Sequence, residues 1–228
     1  MGADNQPKAQ QIGRDLRRKA ASRKSADRIL IVCEGSKTVP QYFDEIRQEL
    51  RLPTAHIYVM GASDGNDPLS VVQYAKKIFL NGDPHRSISP RVFDQVWVVF
   101  DRDEHHSYHD ALGLVGKLNL SMENDIKSKV PFEVVASVPC FEIWLLLHYE
   151  DVLAPLSRSD VYQRLRRHIP QYEKGGCGLW KRTNSQVLTA KDRAIKIALQ
   201  KNRNDDDGPY TDLHLFVDRL QNLMKQSV

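Results

Sequence analysis

Residues Val96 to His105 read VWVVFDRDEH. Five apolar residues, Val96 to Phe100, run directly into Asp101-Arg102-Asp103 and then Glu104 and His105. A short Val-rich apolar run bounded by charge predicts a strand buried on both faces, the kind found in parallel sheets. Open α/β sheets bind their ligands at the carboxyl ends of such strands. Two aspartates placed there two residues apart can turn the same way and share one hard cation such as Mg²⁺. The stretch therefore points to metal-assisted chemistry on phosphate.

Outward from it, three more runs of the same kind recur. Ile29 to Cys33 is apolar throughout and ends at Glu34-Gly35; His56 to Met60 and Phe132 to Ser137 are the others. Between them lie helical patterns. One runs from about Thr38 to Arg51, with Tyr42, Phe43, Ile46 and Leu50 on one face and Pro40 in its first turn. A second follows the Asp67-Pro68 start signal to about Leu80, and a third covers 107–128 with an interruption near Asn119. Pro139-Cys-Phe-Glu142 opens an apolar helix, Ile143 to Tyr149. Strands alternating with helices predict βαβ units and a parallel sheet of about four strands. After Asp151 no strand signal remains, and residues 158–168, 185–202 and 211–225 read as helices. The expected division is a flexible basic tail at 1–27, an α/β core at 28–152 and a helical extension at 153–228 packed on it.

The net charge of +4 conceals a strong segregation. Residues 1–28 hold eight Lys/Arg against three acids, and residues 29–155 hold eleven against eighteen. Residues 156–203 hold twelve against three, and residues 204–228 hold two against five. An acidic segment carrying the Asp-x-Asp thus lies beside two basic ones, as expected of a metal site next to a polyanion track. Lys174, Lys181, Arg182 and the pair Arg166-Arg167 are the candidates to line that track. The plainer reading of such charges is a set of solvated helix faces. The start of the chain lacks an apolar signal segment, no run approaches a bilayer span, and cytoplasmic is the expected location. Three cysteines, Cys33, Cys140 and Cys177, show no paired spacing and read as free thiols.

If the strand before Glu34 and the strand before Asp101 are parallel neighbours, Glu34, Asp101 and Asp103 meet at one sheet edge. Acids so close repel unless a cation holds them. The order of motifs excludes two phosphotransfer folds. Haloacid-dehalogenase-type phosphatases place their Asp-x-Asp after the first strand, and receiver domains need an acidic pair there. No Gly-x-x-x-x-Gly-Lys-Ser/Thr loop is present. His105 and His109 have the i, i+4 spacing of zinc ligands, but no further Cys/His cluster is near. His106 and His109 read better as surface residues, and Cys140 as packing.

Glu34-Gly35 together with Asp101-Arg102-Asp103 resembles the Toprim signature. Three longer blocks resemble the RloB family: Ile29 to Phe43, Val96 to His105, and Ser137 to Glu150 (SVPCFEIWLLLHYE). The resemblance covers about residues 28–220. It implies a Toprim-like, Rossmann-like parallel sheet with a helical C-terminal extension. It further implies a Mg²⁺- or Mn²⁺-dependent nuclease of prokaryotic phage defence, often encoded beside an ATPase. By that pattern Glu34 is general acid/base, Asp101 and Asp103 are metal ligands, and Glu142 corresponds to an extra carboxylate. Ser36 and Val39 depart from positions where the family commonly has acids. Lys37 and Arg102 are candidates to stabilise a charged transition state, or else ion-pair partners of the acids beside them. Expected partners are DNA or RNA, a partner ATPase and a second copy of the chain, with no membrane. A reading of another class is a non-cleaving nucleic-acid-binding sensor or effector that acts through the ATPase.

Overall fold

The computed structural model describes residues 27–35, 37–52, 55–59, 67–102, 106–200 and 208–226. Its elements in chain order begin with β1 (Ile29–Cys33), α1 (Thr38–Glu49), β2 (Ala55–Val59), α2 (Pro68–Asn81), β3 (Gln95–Asp101), α3 (Tyr108–Leu118) and β4 (Phe132–Val138). The second part holds α4 (Glu142–Leu147), α5 (Arg158–His168), α6 (Leu179–Thr183), α7 (Val187–Ala198), β5 (Tyr210–Thr211) and α8 (Leu213–Gln226). The five strands form one sheet in the order β2-β1-β3-β4-β5. The first four are parallel and β5 is antiparallel to β4. This is the α/β arrangement with a helical C-terminal extension that the sequence predicts.

β1 lies inside the sheet, between β2 and β3, because it can tolerate no water on either face. All five of its residues are buried, and it pairs with β2 on one side and β3 on the other. Alternation sorts the two faces. Leu30 and Val32 join Val96, Val98 and Phe100 of β3 under α2 and α3, where Val71, Phe79, Tyr108 and Val115 pack. Ile29, Ile31 and Cys33 face the other way, onto Tyr42, Phe43 and Ile46 of α1 and onto α4 through α8. The C-terminal helices are thus one hydrophobic core with the second face of the sheet. Phe216 of α8 illustrates this: its ring lies 5.0 Å from Phe43 and 4.7 Å from Trp97.

Asp67 caps α2 as its residue type predicts, accepting from the amides of Leu69 at 3.1 Å and Ser70 at 3.3 Å. The Ser107 hydroxyl donates to the same carboxylate at 2.7 Å, tying the start of α3 to the start of α2. These hydroxyls and amides hold the Asp67 carboxyl below its ordinary pKa, the Ser70 hydroxyl contributing most. The third helical pattern ends at Leu118 rather than 128: Asn119 leaves helical geometry and its side chain accepts from the Phe132 amide at 3.2 Å.

Two elements go beyond the sequence reading. α6 is a five-residue helix; the amides of Gly178, just before it, and of Trp180 within it donate to the Glu45 carboxylate of α1, at 2.6 and 2.8 Å. β5 corrects the expectation that no strand follows Asp151: it straddles the start of the stretch 211–225 that reads as helix, and its two residues are too few to show a period of two. Buried Asp212 secures it. Its amide donates to the Ala136 carbonyl at 3.0 Å, and its carboxylate accepts from the Ala136 amide at 3.1 Å and from the Tyr210 hydroxyl at 2.7 Å. Among the described residues no helix is long and apolar enough to cross a membrane. The N-terminal tail up to residue 26 lies outside the described residues, but Asp27 is in place, accepting from Gln95 at 2.8 Å and paired with Arg219 of α8.

Candidate functional site

Parallel pairing of β1 with β3 brings their carboxyl ends side by side, in register Cys33 with Val99. The Glu34 amide continues the ladder to the Val99 carbonyl at 3.0 Å. One step on, the Glu34 carboxylate accepts from the Asp101 amide at 3.3 Å. Two acids 67 positions apart in sequence therefore share one sheet edge. Asp103 and His105 lie outside the described residues, as does Ser36.

A cleft of about 350 Å³ opens over this edge. Glu34, Asp101 and Glu142 line it together with Lys37, Arg158 and Lys174, and Val39, Val99, Phe100 and Phe141 supply apolar wall. Glu142 arrives because β4 neighbours β3 and α4 begins four residues after β4 ends. It is 2 % exposed, and one of its oxygens accepts from the Tyr172 hydroxyl at 2.6 Å. Burial and this carboxylate push the Tyr172 phenol well above its ordinary pKa, so it stays a donor. Burial and the same carboxylate raise Tyr162, whose ring lies 6.0 Å from that of Tyr172. Cys140 is fully buried; burial first, and Glu142 and Asp101 after it, push its thiol well up. A protonated, inaccessible thiol is no nucleophile, so packing is its role.

The extension supplies the cleft's far wall. Ser157 caps α5 in a reciprocal box: its hydroxyl accepts from the Asp160 amide at 3.2 Å, and the Asp160 carboxylate accepts from the Ser157 amide at 3.1 Å. That fixes the next residue, Arg158, whose Nη2 meets the Asp101 Oδ2 at 3.3 Å. Lys174 extends over the Tyr162 ring, 5.6 Å from its centroid. Gly175 donates its amide to the Thr38 hydroxyl at 2.9 Å, at the first turn of α1. Its φ is +84°, and a Cβ there would stand 3.0 Å from the Lys37 side chain. Glycine is thus what allows the loop to close over Lys37.

The other candidates lie elsewhere. Arg102 is not part of the cleft lining; its guanidinium sits 5.9 Å from the Tyr108 ring centroid. Arg166 and Arg167 are exposed in the last turn of α5, and Lys181 and Arg182 are exposed on α6. None of these four lines the cleft. His106 and His109 are exposed, as surface residues should be. Arg158 and Tyr162 are the residues that sequence reasoning passed over. The excess of cations in 156–203 flagged their segment, but no local spacing ties either one to Asp101 or Glu142.

A family model described as RloB-like protein matches residues 29–220. The chain belongs to that family. The match takes in β1 through most of α8, so the RloB-like unit includes the extension that walls the cleft as well as the sheet. No curated protein and no solved structure gives a significant match.

The acids of the cleft are oxygen donors of the type that hard divalent cations take. The one sulfur beside them, Cys140, is held as a thiol. In donor chemistry the lining fits Mg²⁺ or Mn²⁺. Among the described residues, no group of three His, Cys, Asp or Glu side chains is gathered closely enough to hold a metal ion.

Proposed function

We propose that this RloB-like chain is a Mg²⁺- or Mn²⁺-dependent nuclease of prokaryotic phage defence that hydrolyses phosphodiester bonds of DNA or RNA. The observation that carries the reading is the placement of Glu34 and Asp101 on adjacent parallel strand ends, in a cleft that also holds Glu142, Lys37 and Lys174. Asp101 and Asp103 would hold the ion, with Glu142 in support. Bound there, it would polarise the scissile phosphate and lower the pKa of an attacking water.

The chain's own residues then divide the remaining work. Glu34 moves the proton between the nucleophile, the leaving oxygen and solvent. Lys37, held by Gly175 against the first turn of α1, faces the charge that develops on the phosphate. Arg102, next to Tyr108 and outside the lining, either stabilises charge in the transition state or pairs with the acids beside it. Lys174 marks where the polymer enters. Lys181, Arg182, Arg166 and Arg167 are exposed for contacts with its phosphates further along. The site works in a cytoplasmic protein, with a partner ATPase of the same defence system and self-association as the expected assemblies.

The test is cleavage of plasmid, single-stranded DNA and RNA in Mg²⁺ or Mn²⁺ by the wild type, by Glu34→Gln and by the double substitution Asp101→Ala/Asp103→Ala. Wild-type cleavage that vanishes in EDTA and in the double variant is expected. Cleavage surviving the double substitution refutes the assignment.

A second reading draws on the absence, among the described residues, of a ready three-carboxylate cage. It takes the chain as a non-cleaving sensor or effector that binds nucleic acid and signals through the ATPase. Binding without cleavage in either metal, alone and with that partner, favours it.

A further inference from the structure

The outer face of α7 carries an apolar stripe that stands in solvent. The inner face packs into the core through Val187, Ala190, Ala194 and Ile197. Both flanks are pinned. Lys191 reaches Asp218 and Gln221 of α8, while Arg193 donates to the Leu147 carbonyl at 2.8 Å and pairs with Asp151 at 3.4 Å. The helix has no freedom to roll, so Leu188, Ile195 and Leu199 are held outward, 71 %, 46 % and 81 % exposed. Leu199 follows the last residue of α7 but keeps helical geometry, so the stripe is continuous. A helix turns about 100° per residue, which puts Leu188, Asp192, Ile195 and Leu199 within about 60° of one another along a length of about 16 Å. Apolar residues exposed singly call for no partner. Positions i, i+4, i+7 and i+11 are the spacing of a helix–helix seam, here with Asp192 in one of the four places. Asp192 and Lys196 are both exposed, and neither has a hydrogen-bond or ion-pair partner among the described residues.

The stripe is symmetric about its middle. A second copy turned end for end sets its Leu199 level with Leu188, and its Leu188 level with Leu199. Asp192 and Lys196 lie on one edge of the stripe, and in that arrangement the Asp192 of each copy comes within about 1.5 Å, along the helix axis, of the level of the other copy's Lys196. We propose that α7 is a self-association surface on which two copies pair antiparallel, about a two-fold axis crossing the helix between Arg193 and Ala194. Leu188 of each copy packs on Leu199 of the other, the two Ile195 side chains meet at the centre, and Asp192 and Lys196 pair reciprocally along one edge. Equal chemistry at equal distances from a midpoint is what a two-fold contact with a second copy requires, and an unrelated partner does not require it. Such a contact closes at two copies. It draws on none of the residues that line the cleft. The inference gives a surface to the self-association expected above and does not rest on the nuclease reading. A one-helix contact lies at or below the small end of specific interfaces, about 1,200 Å² of total buried area, so the expected dissociation constant is roughly 10–200 μM.

Sedimentation equilibrium of the full chain, from about 5 to about 500 μM so as to bracket that constant, tests this. The proteins are the wild type, Leu199→Glu, Asp192→Lys and the charge swap Asp192→Lys/Lys196→Asp, with thermal melts to verify folding; all three positions are exposed, so the fold is expected to hold. The wild type is expected to follow a monomer–dimer equilibrium. Each substitution acts twice in a two-fold contact, so Leu199→Glu weakens dimerisation at least about tenfold. Asp192→Lys sets like charges along the edge and weakens it roughly tenfold. The charge swap restores both ion pairs with their signs exchanged and returns the affinity to within about threefold of wild type. A wild type that stays monomeric over the whole range overturns the proposal. A dimer of unchanged affinity in Leu199→Glu places the contact elsewhere and overturns it too, and a charge swap that dimerises no better than Asp192→Lys overturns the antiparallel register. None of these results bears on cleavage, so the nuclease reading stands or falls separately.

Discussion

Replacing Tyr172 with Phe removes one oxygen and isolates the link between the extension and Glu142. The two residues are 3 % and 2 % exposed, and their hydrogen bond is 2.6 Å long. Solvent neither screens the contact nor offers the carboxylate a replacement donor. A buried hydrogen bond to a charged group is worth about 1.5–3 kcal/mol, and the oxygen left behind keeps its desolvation cost. The expected loss is therefore about 2 kcal/mol, which lowers Tm by about 4–8 °C in a chain of this length. Urea unfolding of wild type, Tyr172→Phe, Glu142→Ala and the double variant gives the coupling between the two side chains, expected at roughly 1–2 kcal/mol. The phenol is held protonated in the folded state, whereas in the unfolded chain it ionises near pH 10. Above that pH the unfolded wild type gains stability that the Phe variant does not, so the gap between them is flat across neutral pH and narrows at high pH. A loss below about 0.5 kcal/mol, or additive single substitutions, refutes the claim that this contact holds Glu142 in place.

Three further outcomes follow from the geometry. Buried His148 donates from Nδ1 to the Trp144 carbonyl at 2.9 Å, while its Nε2 is buried with no partner among the described residues. Burial lowers its pKa to about 4, below the unfolded value of about 6.5, so stability is lost as pH falls from 6.5 toward 4, at up to about 1.4 kcal/mol per pH unit. His148→Phe is expected to flatten that limb in urea unfolding; an unchanged limb refutes it. Gly175→Ala puts a side chain on a φ of +84° and against Lys37, and should cost about 1–2 kcal/mol while weakening oligonucleotide binding at the cleft. Full wild-type stability would refute that account of the loop. If Arg166 and Arg167 contact phosphates, replacing both with Ala lowers the slope of log affinity against log salt by roughly 0.7–0.9 per residue; an unchanged slope removes them from the track.

The sheet was legible because its information is local. Ile29 to Cys33 and Val96 to Phe100 are short, Ile/Val-rich apolar runs bounded by charge, which favours strands covered on both faces, and Asp67-Pro68 and Pro40 mark helix starts through their own backbone chemistry. The juxtaposition of Glu34 with Asp101 could be read as a consequence of strand pairing, since both lie at predicted strand ends. β5 could not, because two residues carry no period and its place is set by Asp212 bonding to Ala136.

The amino-acid sequence by itself determined a parallel α/β core, a helical extension and the acids at the carboxyl ends of its strands. Only the tertiary structure decided that the extension closes over those acids. It placed Arg158 on Asp101, Tyr172 on Glu142, and Gly175 against Lys37. The reason is physical. A strand or a helix cap is specified by neighbours along the chain. Contacts between residues 30 to 138 positions apart depend on how the apolar faces of α4 through α8 pack on the sheet, and no local pattern encodes that.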